Sequence, residues 1–198
     1  MALTNTYRNK IIDAITCRSS GSGSSSPLGI SSAYIGLSFT KPEADGSGVV
    51  EPTIDINGTG YTRTLIGQTG SNASSTWLFR AAQNGQTSNE KHIYFTEALT
   101  PWKNPQKPES TNAEDHKLRY FVIFSNATST DKSAVVAYAK LTHDGEDAPI
   151  HVTNPNTVVL FRPDDLVIKY VDETVIVTDR KAKYDSLAVH TDKLLGEK

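Results

Sequence analysis

Apolar residues in this chain come in short runs separated by polar stretches rich in Gly, Pro, Asn, Asp and Ser. The longest run, residues 118–124, has the length and β-branched content of a buried central strand. Residues 134–141 follow a polar turn and are the predicted hairpin partner of that strand. Further predicted strands occupy residues 34–38, 92–96, 157–161, 166–170 and 174–177. After the Pro/Gly loop at residues 41–48, a second strand is predicted to recover at residues 49–52 and to end at Arg63.

This spacing, with turn residues roughly every 8–12 positions, is typical of an all-β domain. We therefore predict an antiparallel β-sandwich of jelly-roll-like type. Its core residues are expected in the second half of the chain: Phe121, Ile123, Val136, Tyr138, Val159 and Phe161.

The first residues show a different period. Tyr7, Ile11, Ile12 and Ile15 recur near helical spacing, which predicts an amphipathic helix over residues 4–17. Thr4 or Asn5 can cap its start. The apolar stripe could pack on the body of the same chain or on a neighbouring subunit. The second placement makes these four residues candidate assembly contacts.

The predicted helix is followed by a tract of Ser and Gly that ends at Pro27. Such composition is typical of a flexible linker. The chain is thus divided into an N-terminal helix or arm (1–18), a tether (19–27), a β-sandwich domain (28–179) and a C-terminal segment (180–198). Helical spacing of apolar residues in the last segment predicts a short C-terminal helix or arm.

A proline-rich stretch, residues 101–112, is incompatible with a regular element and is predicted as a long loop. Trp102 lies in it. An aromatic side chain on an exposed loop is a candidate contact residue, for instance for carbohydrate stacking. The alternative is that the ring closes a minor core beneath the loop.

Charge and residue content restrict the chemistry. A net charge of −2 over 198 residues gives no electrostatic argument for binding nucleic acid or an anionic membrane. No apolar run reaches the length of a membrane-spanning helix. The single Cys17 excludes an internal disulfide and is interpreted as a small core residue.

No histidine pair has metal-ligand spacing. His143, beside Asp144, Glu146 and Asp147, is interpreted as part of a polar hairpin tip. We therefore expect no metal, no cofactor and no enzyme activity.

One stretch carries a resemblance. Residues 34–38 read YIGLS, Pro42 and DGSGV (residues 45–49) follow, and EP (51–52) and GYTR (60–63) complete the series. This order is similar to a family of tailed-bacteriophage virion proteins, often labelled tail fibre protein, with the block YxGLS…P…DGtG…EP…GYaR. Here Thr62 stands where a small residue is usual, and residues 54–57 lengthen the loop.

The resemblance covers about the first third of the chain and implies a virion building block. The expected protein is a multi-copy capsid-surface or tail component, homo-oligomeric and in contact with other phage virion proteins. It would be made in the host bacterial cytoplasm and located in the virion. Two other classes stay open: a receptor- or carbohydrate-binding module of a tail fibre that uses Trp102 on a host surface glycan, and an enzyme.

Overall fold

The computed structural model describes residues 3–18, 28–52, 61–69, 76–95, 102–143, 146–152, 159–171 and 175–180. The predicted tether and the predicted C-terminal helix or arm lie outside these residues, except that Arg180 ends a strand. The side chains of the last strand are not described either.

Within the described residues, β-strand is the main regular structure, accompanied by one α-helix and two short 3-10 helices. The helices are α1 (Asn5–Ile15) and the 3-10 turns Ala113–His116 and Lys132–Ala134. The strands are β1 (Ser32–Ser38), β2 (Thr64–Gln68), β3 (Gln86–Ser88), β4 (Ile93–Phe95), β5 (Lys117–Leu118), β6 (Tyr120–Phe124), β7 (Val135–Lys140), β8 (Thr142–His143), β9 (Glu146–Asp147), β10 (Ile150–His151), β11 (Val159–Phe161), β12 (Leu166–Val171) and β13 (Val175–Arg180). The prediction of an all-β chain with an N-terminal helix is confirmed.

Four strands form one sheet in the order β2-β1-β6-β7, with antiparallel pairing throughout. β6, predicted as a buried central strand, lies between β1 and β7, and residues 121–124 are all buried. β7 is the antiparallel neighbour of β6, so the predicted hairpin is confirmed. β1 contributes Ile35 and Leu37, both fully buried.

A five-stranded sheet has the order β3-β12-β13-β8-β9. Its pairs are antiparallel except for one parallel bridge between Arg180 and His143. β8 and β9 place His143 opposite Glu146, consistent with a hairpin at this position. Two further pairs, β4 with β11 and β5 with β10, are also antiparallel.

The predicted core is mostly correct. Phe121, Ile123, Val159 and Phe161 are at most 1% exposed. Val136 and Tyr138 are only partly buried. Both lie on β7, which is an edge strand of the four-stranded sheet and pairs within that sheet only with β6.

One strand boundary differs from the prediction. The stretch from residue 34 to 63 was expected to hold a second strand, recovering at residues 49–52 and ending at Arg63. Residues 49–52 form no strand, and β2 begins only at Thr64. Instead, the Ser38 hydroxyl at the end of β1 accepts from the Val50 amide at 3.0 Å, and the amide of Phe39, the next residue, donates to the Val50 carbonyl at 2.9 Å.

α1 ends in a tight C-terminal turn. The amide of Cys17 donates to the Ala14 carbonyl and that of Arg18 to the Asp13 carbonyl, the pattern of a Schellman motif. Cys17 takes the left-handed conformation that this motif requires, with φ of 51°. The turn buries Cys17 completely, as its interpretation as a small core residue predicted. None of the described helices is long and apolar enough to cross a membrane.

Candidate functional site

Four of the motif residues, Gly36, Glu51, Tyr61 and Arg63, meet in one largely buried cluster beside β1. Arg63 forms a two-pronged ion pair with Glu51: its Nε lies 3.0 Å from Oε1 and its Nη2 lies 2.5 Å from Oε2. The Arg63 side chain is 5% exposed and that of Glu51 19% exposed. Arg63 Nη1 also donates to the Asn126 carbonyl at 2.8 Å. We call Gly36, Glu51, Tyr61, Arg63 and Phe124 the clamp.

Tyr61 connects the ion pair to the sheet. Its hydroxyl donates to Glu51 Oε1 at 2.8 Å and accepts from the backbone amide of Leu37 at 2.6 Å. Burial raises the pKa of Tyr61 well above its usual range, and the neighbouring Glu51 carboxylate raises it further. The phenol therefore stays protonated and keeps donating to Glu51.

Gly36 leaves the space in which the clamp closes. A β-carbon at this position would lie 2.5 Å from the Tyr61 hydroxyl oxygen and 2.8 Å from a ring carbon of Phe124. The Arg63 guanidinium carbon lies 3.4 Å from the centre of the Phe124 ring, within the range of a cation–π contact. The glycine of the YIGLS run is thus required by packing.

The Tyr61 ring begins a row of aromatic side chains that runs into the core. It stacks on Phe95 at 5.8 Å between ring centres and contacts the edge of Trp102 at 5.4 Å. Phe95 in turn contacts Phe161 at 6.4 Å. Motif residues and core therefore form one packed unit.

Trp102 is not an exposed contact residue. It is 4% exposed and packs against Tyr61 in the core cluster, so its ring is unavailable for stacking on a ligand. The alternative, that Trp102 closes a core beneath the proline-rich loop, is what the structure shows. The prediction that Trp102 is exposed because it lies in a proline-rich loop is wrong. Hydrogen bonds hold the described part of that loop in a fixed arrangement.

His116 ties it. The Asn104 amide donates to His116 Nδ1 at 3.2 Å, and His116 Nε2 lies 2.9 Å from the Ser110 carbonyl oxygen. In these bonds Nδ1 is the acceptor and Nε2 is placed to donate. Asn104 also donates to the Asp115 carbonyl at 2.9 Å. These bonds join the two ends of the stretch 104–116 to each other, and β5 begins directly after it.

The loop between β1 and Glu51 is held by its glycines and by one surface ion pair. Gly46 has φ of 84°, and a β-carbon there would lie 2.2 Å from the Lys132 carbonyl oxygen. The Lys132 ammonium lies 2.7 Å from Asp45 Oδ2, and with Ser47 it holds the pKa of that carboxyl below its usual range. Because this pair is exposed, it fixes the loop position more than it stabilises the fold.

A groove of about 900 Å³ borders the clamp. The loop of residues 46–52 forms one side, residues 127–132 form the other, and Pro105 and Gln106 line it as well. Tyr61 and Arg63 also line it, and their polar atoms already bind Glu51. Polar and apolar side chains both line the groove, which lies between the two loops.

A second cleft, of about 530 Å³, contains a hydroxyl–carboxylate–guanidinium group. Ser88 Oγ donates to Asp164 Oδ1 at 2.5 Å, and Arg80 pairs with both. These bonds join β3 to the turn before β12, which is a structural use of the hydroxyl. In the part of the chain that the structure describes, no group of three or more His, Cys, Asp or Glu side chains could hold a metal ion.

The four predicted assembly residues separate into two environments. Ile12 is fully buried and Ile15 is 4% exposed, both in the core of their own chain, and Ile11 packs partly buried against it. Tyr7 is 59% exposed. Of the two placements predicted for the helix, the structure shows the one on the body of the same chain. Ile12 and Ile15 do not form an outward-facing contact stripe there.

Comparison with models of protein families, with curated proteins and with solved structures found no match. The clamp itself could not be derived from the sequence. The motif residues were visible as a series, but nothing in the series shows that Glu51, Tyr61 and Arg63 bind one another over Gly36.

Proposed function

We propose that this chain is a structural protein of a tailed-bacteriophage virion, a multi-copy component of the capsid surface or the tail that acts through assembly contacts. The observation that carries the proposal is the order of motif residues between positions 34 and 63, which is similar to that of phage virion proteins. Its partners would be further copies of itself and other virion proteins.

The use that the chain makes of those motif residues supports a structural role. Glu51, Tyr61 and Arg63 satisfy one another's charges and hydrogen bonds and attach a surface loop to the central sheet. Gly36 leaves the space that they occupy. Their polar atoms are engaged in internal bonds, which is the arrangement expected of a rigid building block. A rigid body with loops on its surface suits repeated docking.

The finer architecture is part of the same proposal. We infer that the four-stranded and five-stranded sheets pack as the two layers of a jelly-roll-like sandwich. Core residues from both sheets, such as Phe121 of β6 and Ile168 of β12, belong to one cluster, which supports this arrangement.

The proposal is tested on particles of the phage whose genome encodes this chain. Purified virions are analysed by quantitative mass spectrometry, and an antibody against the chain is located on them by electron microscopy. We expect many copies per particle, with label on the head surface or on the tail. Particles of full infectivity that lack the chain would contradict the proposal.

A glycan-binding role based on Trp102 is not proposed. The side chain that would have formed the stacking platform lies in the core, with Tyr61 against it.

A further inference from the structure

The N-terminal arm, residues 3–18, is attached to the body by a set of matched bonds. Asp13 Oδ1 accepts from the Ala82 amide at 2.9 Å, and Asn9 Oδ1 accepts from the Gly85 amide at 2.8 Å. Arg18 Nη1 donates to the Phe79 carbonyl at 2.5 Å. All three bonds join an arm side chain to a backbone group of the segment 79–85, so they fix the position of the arm along that segment.

The body also leaves space for the arm at Gly67. A β-carbon at Gly67 of β2 would lie 2.1 Å from the Thr16 carbonyl oxygen, so only glycine admits the last turn of the arm. Arg18 lies over the Trp77 ring at 4.7 Å, and Arg8 lies over the Tyr170 ring at 5.7 Å. The docking surface recognises the sequence of the arm specifically.

Nothing in these bonds depends on which chain supplies the arm. The link between arm and body, residues 19–27, contains only Ser and Gly before Pro27. Ser/Gly-rich linkers as a class hold the groups that they join at an effective concentration of about millimolar order. In the proposed multi-copy assembly, the docking surface of a neighbouring copy would compete with that of the same chain for the arm.

We propose that copies of this chain exchange their arms, each docking residues 3–18 in the Phe79–Gly85 surface of a second copy. This inference rests on the proposed multi-copy assembly and names the contact that would join its subunits. Exchange preserves every arm contact described above and adds a covalent connection between bodies, which is why it is a low-cost route to oligomers.

A disulfide distinguishes the two arrangements. A β-carbon at position 85 would lie 3.5 Å from the Arg8 β-carbon, within the separation that a disulfide spans. Chains carrying only Arg8→Cys are co-expressed with differently tagged chains carrying only Gly85→Cys. After oxidation and blocking of free thiols, the oligomeric fraction is run on a non-reducing denaturing gel. Exchange predicts a covalent pair that contains both tags.

The double variant Arg8→Cys, Gly85→Cys is the matched control, because it must crosslink in either arrangement. If the double variant gives only crosslinked single chains and the mixture gives no pair, exchange is wrong. A chain that stays monomeric at every concentration would overturn exchange and multi-copy assembly together. Crosslinked single chains inside virions would overturn exchange alone, whereas a crosslinked pair in a chain absent from virions would overturn only the proposed function.

A second measurement covers the case in which cysteine at position 85, where φ is +74°, prevents folding. Asp13→Lys damages the arm, and Gly67→Val blocks the docking surface. Exchange predicts that neither variant forms the oligomer alone, but that the co-expressed mixture does, because the intact arm of one reaches the intact surface of the other. Absence of this rescue, with wild-type chains assembling in parallel, would contradict exchange.

Discussion

At the scale of single residues, the motif between positions 34 and 63 works through one missing side chain. Gly36 has ordinary extended backbone, so the reason for glycine is the space above it, which Tyr61, Glu51 and Phe124 fill. A sequence cannot show this, because a glycine in a strand has several explanations, including a bulge and a close approach.

We expect Gly36→Ala to lower the free energy of unfolding by about 3 kcal/mol, the upper end of the cost of overpacking a well-packed site. The added methyl group would lie 2.8 Å from Glu51 Oε1 as well as 2.5 Å from the Tyr61 hydroxyl, so the clamp must open. Chemical denaturation measures the change. Gly29→Ala is the control for adding a methyl group without crowding: no atom lies within 4 Å of it, and only its φ of +71° costs the alanine about 1–2 kcal/mol. Equal effects of both substitutions would contradict the role given to the space at Gly36.

Removal of a single oxygen tests the hydrogen bonds of the clamp. Tyr61→Phe keeps the ring in the aromatic row but leaves the Leu37 amide and Glu51 Oε1 without this partner. We expect a loss of about 1–3 kcal/mol in the free energy of unfolding, the cost of leaving a buried polar group unsatisfied. Tyr94→Phe, at a side chain on the surface, should change little. A Tyr61→Phe variant as stable as Tyr94→Phe would show that water replaces the lost bonds.

At the scale of elements, sequence reasoning succeeded where burial and period coincide. The β6–β7 hairpin was predicted because both strands are apolar runs flanked by turn residues. β3 was missed because Gln86, Thr87 and Ser88 carry no apolar signal. This strand exists through backbone pairing with β12, and among its side chains only Thr87 is buried. Strands defined by a partner elsewhere in the chain are invisible to a local pattern.

The packing partner of the helix could not be predicted from a local sequence pattern either. Its period was evident, but the two possible partners of its apolar stripe were equally consistent with the sequence. The deciding features are Gly67, Ala82 and Gly85, three positions far along the chain that admit Thr16, Asp13 and Asn9. None of these body residues is distinctive before the fold is known.

One carboxylate at this junction predicts a pH effect. Burial raises the pKa of Asp13 above its ordinary value of 3.8, against the opposing effects of the Ala82 amide and Arg18. Between the unfolded and folded pKa values the folded chain binds more protons, so acidification through this range favours folding at this site. Asp13→Asn keeps the acceptor for the Ala82 amide without the cost of burying a charge.

We therefore expect Asp13→Asn to be more stable than the wild type at pH 7, with the difference shrinking as the pH falls towards 3.8. Other carboxylates titrate alike in both proteins, so the difference between their free energies of unfolding isolates Asp13. Denaturant titrations at several pH values measure it. A variant that is less stable than the wild type at pH 7 would show that the attraction to Arg18 outweighs burial.

At the scale of the whole molecule, the arm is part of the core and not an appendage. Had the helix stripe faced outward, deletion of residues 1–18 would leave the melting temperature unchanged. Instead, deletion removes Ile12, Ile15 and Cys17 from the core, each at most 4% exposed. Full burial of a large apolar side chain contributes about 1.5–3 kcal/mol, so the loss amounts to several kcal/mol. For a chain of this size, each kcal/mol shifts the melting temperature by about 2–4 °C.

We therefore expect the truncated chain to melt at least about 5 °C below the full chain at a concentration where both are monomeric. Tyr7→Ser is the control within the arm: its side chain is 59% exposed, so its loss should leave the melting temperature unchanged. If the arm is exchanged between copies, the full chain should gain further stability as its concentration rises, because docking then also joins two bodies. A truncated chain that melts with the full chain would mean that the body closes without the arm, and the docking surface at residues 79–85 would then have no part in stability.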